Sequence, residues 1–338
     1  MGIMNMVDHE LSRMTTLDAG TYAEARLTKP ETVTMESNPL TFYRHSLSDV
    51  SKTTSLLASY WKHRKTLFGD NAFLPLLDLH KKRFGDAVAS SDVAVLKSEF
   101  VQLLPSDSRG RRVLFINPSQ RGSLSEVSLK RATFLVLQSM IGDSERTSDD
   151  LVLILFISGV YNEDDVDFLG WLCDMVANSM PLSLTKLHLI KAFDCILPDR
   201  VFPALDRLVR LGLVDEIAFS SPTGPADLLQ RMKQHSLSPH ILPTGVGGEF
   251  TWDPNSLLVN DSSSEMKVRA ISRGETIEPS IRLGLGTDEA TLGIFGLDQM
   301  SEDTKLGSEA SSQEGVVDSL GGQPGRQRSR NAIYSRRK

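Results

Sequence analysis

The sequence predicts an α/β fold: a mostly parallel sheet with right-handed βα crossovers, an N-terminal helical lead-in and a disordered C-terminal tail. Three observations predict it. Strand-like and helix-like segments alternate four times between Arg111 and Ser236, the pattern that builds a parallel sheet from crossover connections. The run "LVLILFI", Leu151 to Ile157, has no polar position, as expected of a strand covered on both faces. From Asn255 onward the text is Ser, Gly, Asp and Glu, as in "NDSSSEMK" and "SEDTKLGSEASSQEG", with too little apolar surface to offset chain entropy.

Taken in order, residues 1–38 are Met-, Thr- and Glu-rich with weak periodicity, and read as a loosely structured arm holding a short helix. Residues 39–110 read as a helical lead-in. Within it, "LSDVSKTTSLLASYWKHRKTLFG" spaces Val50, Leu56, Leu57, Tyr60, Trp61, Arg64 and Phe68 by helical turns, with Ser48 or Asp49 as N-cap and Gly69 as stop. Residues 111–253 read as the α/β domain. Its strands are "RRVLFINP", "DDLVLILFISG", "TKLHLIKA" and "VDEIAFSS". They alternate with the helices "LSEVSLKRATFLVLQSMIG", "EDDVDFLGWLCDMVANSM", "PDRVFPALDRLVRLG" and "GPADLLQRMKQHS". Residues 254–338 read as a low-complexity, largely disordered tail with a basic end.

Several function classes are disfavoured by composition and motif. Of 338 residues 43 are acidic and 37 are Lys or Arg, a net charge of −6, which opposes general nucleic-acid binding. The two cysteines, Cys173 and Cys195, are too few for a disulfide framework, so a reducing, cytoplasmic setting is expected. The N-terminal "MGIMNMVDHE" places charges ahead of any signal-peptide core. No nucleophile elbow, Walker A loop, dinucleotide fingerprint or His-Glu-x-x-His is present. A non-enzymatic chain without metal or cofactor is therefore expected, acting as a monomer. His235 and His240 lack the companions of a zinc site.

The glycines of "LPTGVGGEF", Leu242 to Phe250, follow no buried strand and open no helix, so they fail the requirements of a phosphate cradle. The last thirteen residues depart from the acidic average. Arg326, Arg328, Arg330, Arg336, Arg337 and Lys338 form a basic end suited to transient contact with an anionic membrane surface, and the same residues would serve nuclear import or RNA contact.

The order of these elements and several short motifs resemble the CRAL-TRIO family of lipid-binding domains over roughly residues 40 to 250. The resemblance rests on "LTFYRHSLSDVSKTTSLLASYWKHRKTLFG", "GRRVLFINP", "LVLILFISG", "MPLSLTKLHLIKAF" and the closing "LPTGVGGEF". It implies non-enzymatic binding or transfer of a lipid or other small hydrophobic ligand, in an apolar pocket between the sheet and a mobile gate helix, here "PDRVFPALDRLVRLG". It also implies that the closing glycines are a terminating turn. On the implied elements Phe134, Leu135, Phe156, Ile190, Phe193, Phe202, Leu205, Leu208, Val209 and Phe219 line the pocket, with core packing as the plainer reading of each. His188, with Lys186, is placed to meet a polar head. Its plainer reading is a hydrogen-bonded scaffold histidine. Where members that hold phosphatidylinositol carry a Glu and a Lys, this chain has Leu182 and Glu216, a sign change that opposes an anionic headgroup. The alternative is a protein-interaction or regulatory module that keeps the fold with its pocket filled.

Overall fold

Residues 1–38, read from the sequence as a loose arm, are helical. In the computed structural model the described residues are 2–258, apart from 15, 79–80, 142–148, 160, 193–194, 196 and 198. Helices α1 (Ile3–Leu11), α2 (Thr16–Thr28) and α3 (Pro30–Glu36) occupy the arm. Helices this short are marginal alone in water. Among their apolar residues Val7, Tyr22, Ala25 and Val33 are buried in one cluster with Leu56, Leu57 and Trp61 of the lead-in, so tertiary burial supplies what local periodicity lacks.

Helix α4 (Pro39–His45) begins where the Asn38 side chain accepts the Leu40 N–H and Pro39 takes the first helical position. Helix α5 (Val50–Phe68) begins at Asp49, whose carboxylate accepts the Lys52 N–H at 3.0 Å, and stops at Gly69 with φ of 57°. A small hairpin, β1 (Leu77–Asp78) with β2 (Arg83–Phe84), and helix α6 (Ser90–Lys97) complete the lead-in.

The sheet has five strands in the spatial order β3-β4-β5-β6-β7. Strand β3 (Val101–Leu104) pairs antiparallel with β4 (Arg112–Ile116), and β5 (Asp150–Ile157), β6 (Ser183–Lys191) and β7 (Glu216–Ser220) follow in parallel. The antiparallel β3 was not expected from the sequence, because four residues beside a helix give no readable alternation. Helices α7 (Glu126–Ile141), α8 (Glu163–Ser179) and α9 (Val201–Arg210) form the crossovers. The strand order never reverses from β4 to β7, so successive crossovers of one hand stack all three helices on one face. A sheet without a reversal has no crevice at a topological switch point.

The two faces bury separate clusters. Leu114, Ile116, Leu153, Leu155, Leu187 and Leu189 meet α7, α8 and α9. Val113, Phe115, Val152, Ile154 and Ile190 meet helix α10 (Pro225–Gln234) and the segment from Leu237 to Val246. Strand β6 carries one extra residue: Leu151 pairs with Leu184 but Val152 pairs with Lys186, leaving Thr185 unmatched. This bulge switches the alternation of β6, so that Leu184, Leu187 and Leu189 share one face while Lys186, His188 and Ile190 turn to the other.

The chain leaves the sheet through "LPTGVGGEF". Phe250 N–H donates to Leu242 O at 2.9 Å and Gly248 N–H to Pro243 O at 3.0 Å. A Cβ on Gly248 would lie 2.0 Å from Leu242 O, and Gly247 has φ of 89°. These amides are turned into the loop itself, which makes the glycines a turn. Beyond it Trp252 is buried and donates its indole N–H to Leu96 O at 2.9 Å. A 3-10 turn, Pro254–Leu258, buries Leu257 and Leu258, so the first residues assigned to the tail belong to the body. Residues 259–338, with the six basic tail positions, lie outside the described residues, as does Phe193.

Candidate functional site

Helix α9 is the element on which the predicted pocket depends. Gly212 closes it in a left-handed conformation, φ 66°. Leu213 N–H donates to Leu208 O and Gly212 N–H to Val209 O, both at 3.0 Å, the paired bonds of a Schellman ending. Its start is weaker. Arg200 stands at the N-cap without a capping side-chain bond and is tied to Glu163 of α8 by an exposed ion pair at 2.7 Å. Val201, Leu205 and Leu208 form the buried inner stripe and join the core of the α7–α8 face.

The predicted residues fall in four places. Leu205 and Leu208 lie under α9. Phe134 and Leu135 are buried on α7, and the Phe134 ring meets Tyr60 and Phe68 of α5 with centroids 5.4 Å and 5.9 Å away. Phe156, Ile190 and His188 lie on the opposite face of the sheet, where Phe156 stacks on Phe115 at 6.2 Å. Phe202, Val209 and Phe219 are exposed. Phe202 and Phe219, 53% and 48% exposed, meet edge to face at 5.7 Å beside the last strand. Register explains the split: Phe156 pairs with Ile190, whereas Phe219 pairs with Leu189 on the α9 side. The space under α9 is occupied, among the described residues, by aliphatic side chains of the protein itself.

The polar groups converge on the other face. His188 is fully buried, and neither ring nitrogen has a hydrogen-bond partner. Its ring lies 4.7 Å from that of His235, at the C-terminal end of α10. Lys186 Nζ contacts Glu216 Oε1 at 2.8 Å, and Arg111 contacts Asp107 at 2.7 Å. Burial first, then His235, Lys186 and Arg111, push the His188 pKa down to about 3. His235 is shifted down by burial and Lys186 against an opposing pull from Glu216. The hydrogen bond from Lys186 holds the Glu216 carboxyl below its ordinary range. The position where the resemblance expects a headgroup lysine is thus a carboxylate already paired within the sheet. Leu182, in place of the expected Glu, is buried in the core.

Burial pushes the Cys173 thiol up to about 12, which makes it a poor thiolate source. Among the described residues no group of three or more His, Cys, Asp or Glu is placed to hold a metal ion, and no helix is long and apolar enough to cross a membrane. The contact between His188 and His235 was not legible in the sequence. Neither was the buried bond between Arg64 and Glu36. A scan against protein-family models finds no match to this chain, and neither does a search of curated proteins.

Proposed function

We propose that the chain binds a small hydrophobic ligand or lipid chain without catalysis, in the layer between α9 and the sheet, with α9 as the cover that moves. The observation that carries this reading is the amphipathic build of α9, an apolar stripe toward the sheet and a charged outer face. Val201, Leu205 and Leu208 face the sheet while Asp206, Arg207 and Arg210 stay in solvent beside Phe202 and Val209, so lifting the helix breaks apolar contacts and leaves its charges solvated. Lifting it exposes three aliphatic side chains at roughly 2 kcal/mol each. A ligand chain of about eight methylenes offsets that cost at about 0.8 kcal/mol per methylene.

The test is mass spectrometry of organic extracts of the purified full-length protein, together with transfer of a labelled lipid between vesicles. Co-purified lipid, and its loss in Leu205→Asn and Leu208→Asn variants that remain folded, is the expected result. A second reading, the interaction module with a filled pocket, is favoured by the close apolar packing under α9 and by the Lys186–Glu216 pair. Clean extracts and no transfer would replace the first reading with the second.

A further inference from the structure

The sheet has two edge strands, β3 and β7; β3 is largely buried, whereas among the described residues no strand pairs with the outer side of β7. Asp215, just before it, donates its N–H inward to Leu184 O at 3.4 Å. Alternation along a parallel strand then turns the backbone groups of Ile217 and Phe219 toward β6, and those of Glu216, Ala218 and Ser220 outward. No hydrogen bond from the described residues reaches these outward groups. Natural edges are usually blunted by proline, lysine, a bulge or a covering segment. Strand β7 reads Glu-Ile-Ala-Phe-Ser, and its single charge is drawn across its own sheet to Lys186. Beside it the exposed Phe202 of α9 meets the strand's own exposed Phe219 edge to face.

We propose that β7 pairs antiparallel with β7 of a second copy about a two-fold axis through Ala218, making a homodimer with one continuous sheet. The register follows from which groups face outward. Ala218 stands opposite the partner's Ala218, so their outward N–H and C=O groups form a hydrogen-bonded pair, and the outward groups of Glu216 point at the partner's Ser220, the one buried position of the strand. On the α9 face Ile217 meets the partner's Phe219 in the close, non-hydrogen-bonded position. On the other face two small alanines meet each other, while Ser220, only 6% exposed, keeps its hydroxyl under its own chain. No like charges stand directly opposite in this register, and the exposed Phe202 and Phe219 gain cover. Each copy uses its open edge once, so assembly closes at two. This differs from the monomer expected from the sequence, and it does not depend on what α9 covers.

Sedimentation velocity of the full-length protein from about 1 to about 100 micromolar tests it, since a single strand edge with a short apolar ridge belongs to the small interfaces of micromolar strength. The expected result is a concentration-dependent shift to twice the monomer mass. Ala218→Pro removes only an outward N–H, which an edge strand tolerates, and should leave a folded monomer throughout. Phe219→Lys puts a charge on the ridge without touching the backbone and should do the same; it decides the matter if Ala218→Pro does not fold. Wild-type protein that stays monomeric, a mass that keeps growing past two, or variants that dimerise like wild type would each overturn the proposal. Monomeric wild type that binds vesicles, with binding lost in Phe219→Lys, would assign the ridge to a lipid surface instead.

Discussion

Arg64 and His188 are both titratable side chains with no solvent exposure, and the protein treats them in opposite ways. Arg64 is surrounded by acceptors. It donates to the Glu36 carboxylate, to Ala72 O at 2.5 Å, to Leu74 O at 2.6 Å and to the Tyr60 hydroxyl at 2.9 Å. Tyr60 passes its proton bond to Gln138, which donates to Glu36 O at 2.6 Å, and Glu36 also accepts the Leu76 N–H at 2.7 Å. Burial disfavours the guanidinium charge, but Tyr60 and Glu36 outweigh it and hold the pKa above its ordinary value. His188 has apolar neighbours, another imidazole and two cations, and no hydrogen bond. A buried charge is kept in the lead-in by being fully partnered. A buried base is kept in the sheet by staying neutral.

The largest effect should come from breaking the first arrangement. Glu36→Ala leaves Arg64 charged and buried without its counter-ion, which costs about 3–5 kcal/mol, and chemical denaturation should show it as a lower midpoint. If the loss comes from the orphaned charge, Glu36→Leu combined with Arg64→Met should recover most of it, because an apolar pair of similar volume replaces the ion pair. A double variant as unstable as Glu36→Ala alone would mean that the carboxylate's bond to the Leu76 N–H, which anchors the arm, matters more than the charge.

His188 should show its cost through pH. Its folded pKa, about 3, lies below that of an unfolded histidine near 6.5. Between those values the unfolded chain binds a proton that the folded chain refuses, so stability is full above about pH 6.5 and falls as pH drops toward 3, by up to about 1.4 kcal/mol per pH unit. The groups facing it are Lys186 on its own strand, Glu216 on β7, His235 on α10 and Arg111 before β4. None provides a carboxylate free to stabilise the imidazolium. His188→Leu should flatten this limb of the stability profile by about one proton and raise stability at pH 7 by about 1 kcal/mol, as the desolvation of an unpaired ring is relieved. An unchanged acid limb would assign it to other groups.

How much of this contrast is legible in the sequence depends on distance along the chain. The stripe that places Arg64 with Trp61 and Phe68 is readable, and α5 buries that stripe from cap to stop. Its partner Glu36 is not, because it stands 28 residues earlier in a segment whose helices form only against the rest. The four alternating strand and helix pairs are readable because each carries its own period. The division of Phe156, His188 and Ile190 from Leu205, Leu208 and Phe219 is not, because alternation within a strand yields two faces without saying which face neighbours share. That is fixed by pairing register and by the bulge at Thr185, which belongs to the fit between β5 and β6.

The smallest effect should come from the pair at the border of the polar face. Lys186 is largely covered, but Glu216 is 61% exposed, so solvent screens the 2.8 Å contact and its removal should cost well under 1 kcal/mol. Glu216→Gln keeps the shape and removes the charge. The carboxyl is held low by Lys186 in the folded state, so its contribution is present above the unfolded pKa near 4.3 and fades as pH falls through the folded value. At pH 7 the variant should therefore be slightly less stable, and in strong acid it should match wild type. Loss of Glu216 also leaves Lys186 unpaired beside His188, which deepens the repulsion of a proton there. The acid limb assigned to His188 should then extend further in Glu216→Gln than in wild type, a shift readable in the same titration of stability against pH.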